Sequence, residues 1–361
     1  MSFTTIKDQD NALRLLRNVL LKRRIPSGML FWGPDGVGKR LVAIEMAKAV
    51  NCVSSSSDAC DVCLSCRKVK SGNHPDIRLV MPARKTRVID DETIETIMEF
   101  ASLRGYESLW RVFVLEDADR MTTRAQNRFL KTLEEPPGNS LFILTSSYPR
   151  DLLPTIRSRC LGVRFRSLRP ETVESLLIRD RQLPLEEARS IASLSQGQMS
   201  RAISLIDSGR RVTAMALARR LASGEDPVVL AEEFSDMLDA EKKRAEAIID
   251  ADLQSEAQDI DSDERERLKN FKMASLAAMQ KSNLIDYLYL LQTWCRDMLV
   301  ILSTGDTRHI MNQDQASWLQ QCPMKDPAAG IQAVQRAVEC LDLYVTEDRV
   351  FRDLFFALSA A

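Results

Sequence analysis

The chain has 361 residues, 45% hydrophobic and 28% charged, with a formal net charge of -1. That length suits two or three domains, and the near-zero charge excludes a polyelectrolyte that grips nucleic acid by its bulk: such binding would need a local patch or a partner that supplies the positive charge. No apolar run approaches the ~18 residues of a membrane span, and the N-terminus has no basic segment followed by an apolar one, so no transmembrane helix or secretory signal is expected and the compartment is read as cytoplasmic.

From the start to about residue 166, short apolar runs at 29–32, 77–80, 112–115, 141–145 and 162–165 predict strands. Helical periodicity at 11–21, 40–51, 91–103 and 124–134 fills the intervals. Near-continuous apolar strands between amphipathic helices predict an α/β domain with a parallel sheet covered on both faces. From residue 167 onward no strand is expected. Short helices are read at 171–179, 185–194 and 200–206, with a break at Ser208-Gly209. Longer helices follow at 212–223, 228–258, 266–280, 283–302, 314–321 and 328–356, with an acidic turn at 259–265. The predicted division is therefore 1–166, 167–208 and 209–361.

The first strand runs into Gly33-Pro-Asp-Gly36-Val-Gly38-Lys39-Arg40, a GxxxxGK loop that opens a helix. Such a loop presents backbone N–H groups and a helix N-terminus to phosphate, and Lys39 adds charge. The competing reading is a glycine-rich turn with an exposed lysine. The residue after the lysine is ordinarily Ser or Thr, whose hydroxyl ligates Mg²⁺. Arg40 has no acceptor to offer a cation, so metal-assisted hydrolysis is not expected. Farther on, Arg111-Val-Phe-Val-Leu-Glu116-Asp117 is an apolar strand ending in acids. P-loop ATPases usually carry Asp then Glu here, and the reversed order moves each carboxylate by about one C–C bond, enough to cost roughly 10²-fold in rate.

Cys52, Cys60, Cys63 and Cys66 form C-x7-C-x2-C-x2-C in a turn-rich segment. In a reducing compartment this spacing suits a structural, tetrahedral Zn²⁺ ahead of a redox pair, free thiols or an iron–sulfur cluster. His74 is read as structural, and Cys160, Cys295, Cys322 and Cys340 as buried or unpaired thiols.

Taken together, these residues resemble the bacterial clamp-loader AAA+ subunits of DNA polymerase III. The resemblance is carried by the phosphate loop, the cysteine insert, Asn73-His-Pro-Asp76, Glu116-Asp-Ala-Asp-Arg-Met121, Ala125-Gln-Asn-Arg-Phe-Leu-Lys-Thr-Leu-Glu-Glu-Pro-Pro137, Leu141-Phe-Ile-Leu-Thr-Ser-Ser147 and Thr155-Ile-Arg-Ser-Arg-Cys160. It is dense over 20–170 and weaker beyond. It implies an AAA+ domain at 1–166 with a zinc module at 52–66, a helical lid at 167–208 and an oligomerisation collar at 209–361. It also implies that Arg159 is a finger reaching a nucleotide held by a neighbouring subunit, that Ser146 or Ser147 is a phosphate sensor, and that Arg201 is a second sensor. Implied partners are gamma/tau and delta subunits in a ring, with the sliding clamp and primer–template DNA, and no membrane.

Arg40, the Glu116–Asp117 order and Arg201 before alanine resemble the degenerate delta-prime branch. ATP or ADP binding is then expected, with a degraded Mg²⁺ site and little ATPase activity of its own. An ATP-hydrolysing motor subunit, of the gamma/tau type, is the alternative. A zinc-containing nucleic-acid module is disfavoured by the serines and acids around the cysteines.

Overall fold

A computed structural model describes residues 2–55, 57–82, 88–103, 105–255, 262–343 and 345–361. The chain gathers into two compact units, Met1–Thr172 with Gln196–Ser200, and Val173–Ser195 with Arg201–Ala361. Among the described residues, no helix is long and apolar enough to cross a membrane.

The first unit is built on five parallel strands, β1 (Gly28–Trp32), β2 (Ile77–Val80), β3 (Arg111–Leu115), β4 (Ser140–Ser146) and β5 (Leu161–Arg164), in the order β2-β3-β4-β1-β5. β3 and β4 are buried along their whole length and β1 nearly so, whereas the edge strands β2 and β5 are partly exposed. This is why the central strands read as unbroken apolar runs. Alternate residues face opposite sides of the sheet. Met29, Phe31, Val112, Val114, Leu141 and Ile143 meet α1 (Asp10–Leu21) and α2 (Lys39–Val50). On the other side, Leu30, Phe113, Phe142 and Leu144 meet α4 (Asp91–Ser102), α5 (Thr123–Glu134) and α6 (Pro154–Arg159). Between α2 and β2 lies α3 (Leu64–Lys70). Asp90 caps α4 by accepting from Thr93 N at 2.9 Å, and Thr122 caps α5 by accepting from Ala125 N at 3.1 Å, which sets where those helices begin.

Beyond the sheet the chain is helical: α7 (Pro170–Arg181), α8 (Leu185–Leu194), α9 (Met199–Asp207), α10 (Arg210–Ala222), α11 (Pro227–Ser255), α12 (Ser262–Thr304), α13 (Ala316–Leu319), α14 (Pro327–Asp342) and α15 (Glu347–Ala360). The core of the second unit centres on Phe234, Tyr287, Trp294, Phe351 and Phe355, with Phe234 set edge-on to Tyr287 at 5.0 Å and to Phe351 at 4.8 Å.

Two expectations for the helices are corrected. The helices read at 266–280 and 283–302 are one, because Lys281-Ser282 contains no breaker and α12 continues through it. The single helix read at 328–356 is two, because α14 ends at Asp342 and Thr346 opens α15 with Glu347 and Asp348 in its first turn, a start that favours the positive helix end. The acidic turn at 259–265 lies in part outside the described residues; its described part, from Ser262, opens α12.

Candidate functional site

The carboxyl ends of β1, β3 and β4 lie side by side, with Trp32 in register with Ser146 and Leu115 with Leu144. Strand order reverses at β1, and such a crevice is where open parallel sheets bind ligands. Gly33, Gly36 and Gly38 all have positive φ. At Gly36 a Cβ would run into the backbone N of Ser200, so only glycine allows that approach. At Gly38, φ is +97° and a Cβ would meet nothing within 4 Å. The space in front of it is open, and α2 begins there with no side chain capping it. An uncapped helix start facing open space is the physical requirement for holding an anion.

Lys39 is folded back on the loop. Its Nζ donates to Gly33 O at 2.8 Å, Pro34 O at 2.7 Å and Ser147 Oγ at 3.0 Å. Burial draws its pKa down, against the pull of Asp35, Asp117 and Asp119. Arg40 Nε lies 2.8 Å from Glu116 Oε1, with Arg40 half-exposed and Glu116 largely covered. The N–H is not aimed at the oxygen, so the contact is coulombic and not a hydrogen bond. Burial pushes the Glu116 carboxyl up, Arg40 pulls it back, and Asp117 adds to the rise. Asp117 has a left-handed backbone, φ +46°. Its carboxyl is raised by burial and by Asp119.

Ser147, one residue past β4, donates its N–H to Asp119 Oδ1 at 3.2 Å. Ser146 is fully buried, and its Oγ has no partner among the described residues. The two serines offered as sensors therefore differ: Ser147 touches Lys39, and Ser146 holds an unspent hydroxyl.

Arg159 ends α6 on the surface. Its Nη2 meets Glu134 Oε1 at 2.6 Å, and Nη1 donates to Thr155 O at 3.1 Å. Glu134, within the Leu-Glu-Glu-Pro-Pro segment, was not singled out from the sequence as its partner. Arg201 lies in the second unit, 4.1 Å over the Tyr289 ring and 3.8 Å from Asp286.

The four cysteines converge. Their sulfurs all lie within 4.8 Å of one another, and Cys60 and Cys66 are 4.0 Å apart. A tetrahedral Zn²⁺ with ~2.3 Å bonds needs sulfurs about 3.8 Å apart, whereas a disulfide needs about 2 Å. The set fits zinc. Cys63 caps α3, Cys66 lies in its first turn, and Cys60 Sγ accepts from Cys63 N at 3.3 Å. N–H donors from Cys63 and Val62 draw the Cys60 thiol down to about 6, while burial pushes Cys66 up. Lys48 Nζ, buried in α2, reaches Asp61 in the module at 2.9 Å and Glu45 at 2.8 Å. His74 is not among the four: its Nδ1 accepts from Asp76 N at 3.2 Å, and Nε2 faces Ser65 and Ser108. Burial lowers its pKa, against the pull of Glu107 and Asp76.

Residues 8–169 match the family described as "DNA polymerase III, delta subunit". The chain is 35% identical to DNA polymerase III subunit delta' of Bacillus subtilis over 52% of this chain and 56% of that protein. It is 30% identical to subunit tau of Salmonella typhimurium over 63% of this chain and 37% of that protein. It thus spans about half the length of the first relative and just over a third of the second. Among solved structures, a DNA polymerase III gamma subunit-related protein from Thermotoga maritima is similar over 98% of this chain and 99% of its own, at 17% identity and a TM-score of 0.36. Over residues 8–169, and over about half of the chain in its curated relatives, the chain is thus similar to DNA polymerase III clamp-loader subunits.

Proposed function

We propose that the chain is a delta-prime-type subunit of the DNA polymerase III clamp loader. In this reading it is a cytoplasmic scaffold that joins gamma/tau and delta subunits in a ring and helps place the sliding clamp on primer–template DNA. Residues 1–166 form the AAA+ domain, 167–208 its lid and 209–361 the collar. Gly33, Gly36, Gly38 and Lys39 hold ATP or ADP, with Ser146 and Arg201 as sensors and Glu116 and Asp117 as the remains of a magnesium site. Cys52, Cys60, Cys63 and Cys66 hold a structural Zn²⁺. Arg159 acts in trans on a neighbour's nucleotide.

The observation that carries this reading is the Arg40–Glu116 pair. The chain keeps a phosphate loop but has spent its first acidic residue on its own arginine, which supports a subunit that contributes to catalysis next door. A guanidinium supplied by a neighbour stabilises charge on the transferring phosphoryl group and is worth about 10³–10⁵ in rate.

In a reconstituted loader carrying Arg159→Ala, turnover at the adjoining nucleotide site falls by about 10³-fold, measured as DNA-stimulated phosphate release. Full stimulated turnover in that complex would remove the trans role. The retained Lys39 favours the second reading, an ATP-hydrolysing motor of the gamma/tau type; turnover by the isolated chain near about one per second, ordinary for an enzyme, would establish it.

A further inference from the structure

The donors that hold magnesium in a P-loop site do not fit this chain. Arg40 stands in place of the hydroxyl after the loop lysine, and the carboxylate at the end of β3 is occupied by it, Nε to Glu116 Oε1 at 2.8 Å. A divalent ion set against Glu116 would have to displace the guanidinium and then face it at close range, and like charges at that distance repel strongly in a half-buried crevice. Asp117 does not make good the loss: its carboxylate is shared between Arg120, 3.8 Å away, and the charge of Lys39. What α2 offers a phosphate is therefore two successive fixed cations, Lys39 and Arg40, at an uncapped helix start. Arg40 is held to Glu116 by charge alone. The four N–H donors on Nη1 and Nη2 have no partner among the described residues, and guanidinium N–H pairs suit phosphate oxygens.

We propose that this loop takes a nucleoside di- or triphosphate free of magnesium, with Arg40, anchored by Glu116, as a fixed cation in place of an exchangeable one. The inference rests on the phosphate-binding reading of residues 33–39. It is tested by titrating the full chain with ADP in a calorimeter, once in excess EDTA and once in excess Mg²⁺. The expected dissociation constants agree within about twofold, because no charge-assisted contact depends on the metal. Arg40→Ser, which restores the hydroxyl and removes the cation, weakens binding in EDTA by about tenfold or more, and Mg²⁺ recovers part of the loss. Arg40 is half-exposed, so the variant keeps its fold, checked by its unfolding temperature. Wild-type binding that requires Mg²⁺, or Arg40→Ser binding unchanged in EDTA, overturns the metal-free site while leaving the phosphate loop standing. Absence of ADP binding in both buffers removes the phosphate reading itself, and the inference with it.

Discussion

Arg159 and Asp76 show how differently two charged side chains can be held. Arg159 pairs with Glu134 where both are more than a third exposed. Surface pairs of that kind are worth about 0–1 kcal/mol, so a stronger anion such as a phosphate can take the guanidinium away at little cost. Asp76 is buried, and its carboxylate accepts from Tyr106 N at 2.6 Å, Glu107 N at 2.9 Å and Ser108 N at 2.8 Å. Burial alone would raise its pKa; the three donors outweigh it and hold the carboxyl below its ordinary value of 3.8. Asp76→Ala strands those donors and lowers stability at neutral pH by about 3 kcal/mol. A folded-state pKa below the unfolded one stabilises above the unfolded value and loses that contribution as pH falls through 3.8 toward the folded value,. The gap in unfolding free energy between wild type and Asp76→Ala is therefore widest near neutrality and narrows below that value. A gap independent of pH would show that the carboxylate charge plays no part. Neither Asp76 nor the Arg40–Glu116 pair was legible as a contact in the sequence. The motifs containing them were, but the donors to Asp76 and the partner of Arg40 lie about 30 and 76 residues away in sequence, beyond what local spacing describes.

At the scale of elements, burial decided what could be read. The central strands were placed to within a residue because their apolar runs are covered on both faces. The helices α3 and α6 went unread because seven and six residues are too few for a 3.6-residue period to repeat,. In the second unit, periodicity found helical character but not its ends, since neither the continuity at Lys281-Ser282 nor the break before Thr346 involves Gly or Pro. One glycine there is placed by packing. Gly330, inside α14, is where that helix meets α12; a Cβ on it would lie 2.9 Å from the Sγ of buried Cys295 and 3.4 Å from Leu358 Cδ2. Alanine in a helix interior gains about 1 kcal/mol over glycine. Overpacking a closed core costs about 1–3 kcal/mol, and a buried thiol has one torsion with which to move aside. Gly330→Ala is thus destabilising by about 1 kcal/mol net, read from chemical denaturation. Adding Cys295→Ala removes the clash, so the double variant is more stable than the two single effects summed. A Gly330→Ala protein as stable as wild type would mean the helices part without cost.

For the molecule as a whole, the cysteine cluster and the helical unit make separable demands on stability. Three contacts among the described residues tie the module to its surroundings inside the first unit: Lys48 Nζ to Asp61 at 2.9 Å, Phe3 N to Asp58 Oδ1 at 3.1 Å and His74 to Ser65 at 3.2 Å. The core around Phe234, Tyr287 and Trp294 belongs to the second. A metal bound by the folded state alone stabilises the body that holds it, by about 4 kcal/mol when free metal exceeds its dissociation constant a thousandfold. Four thiolates converging from the end of α2, the following loop and α3 cannot keep that geometry in an unfolded chain, so binding and folding are linked. In a unit of this size each kcal/mol moves the midpoint by about 2–4 °C. Calorimetry of the zinc-loaded chain against the same chain stripped by a strong chelator, with thiols kept reduced, should resolve two unfolding components. The component of the sheet-containing unit falls by about 10 °C on stripping, while that of the helical unit stays within about 2 °C, because the module's named ties, among the described residues, lie in the first unit,. Equal movement of both components would show that the units do not unfold independently. Movement of neither would show that the four sulfurs do not bind the metal in the folded chain.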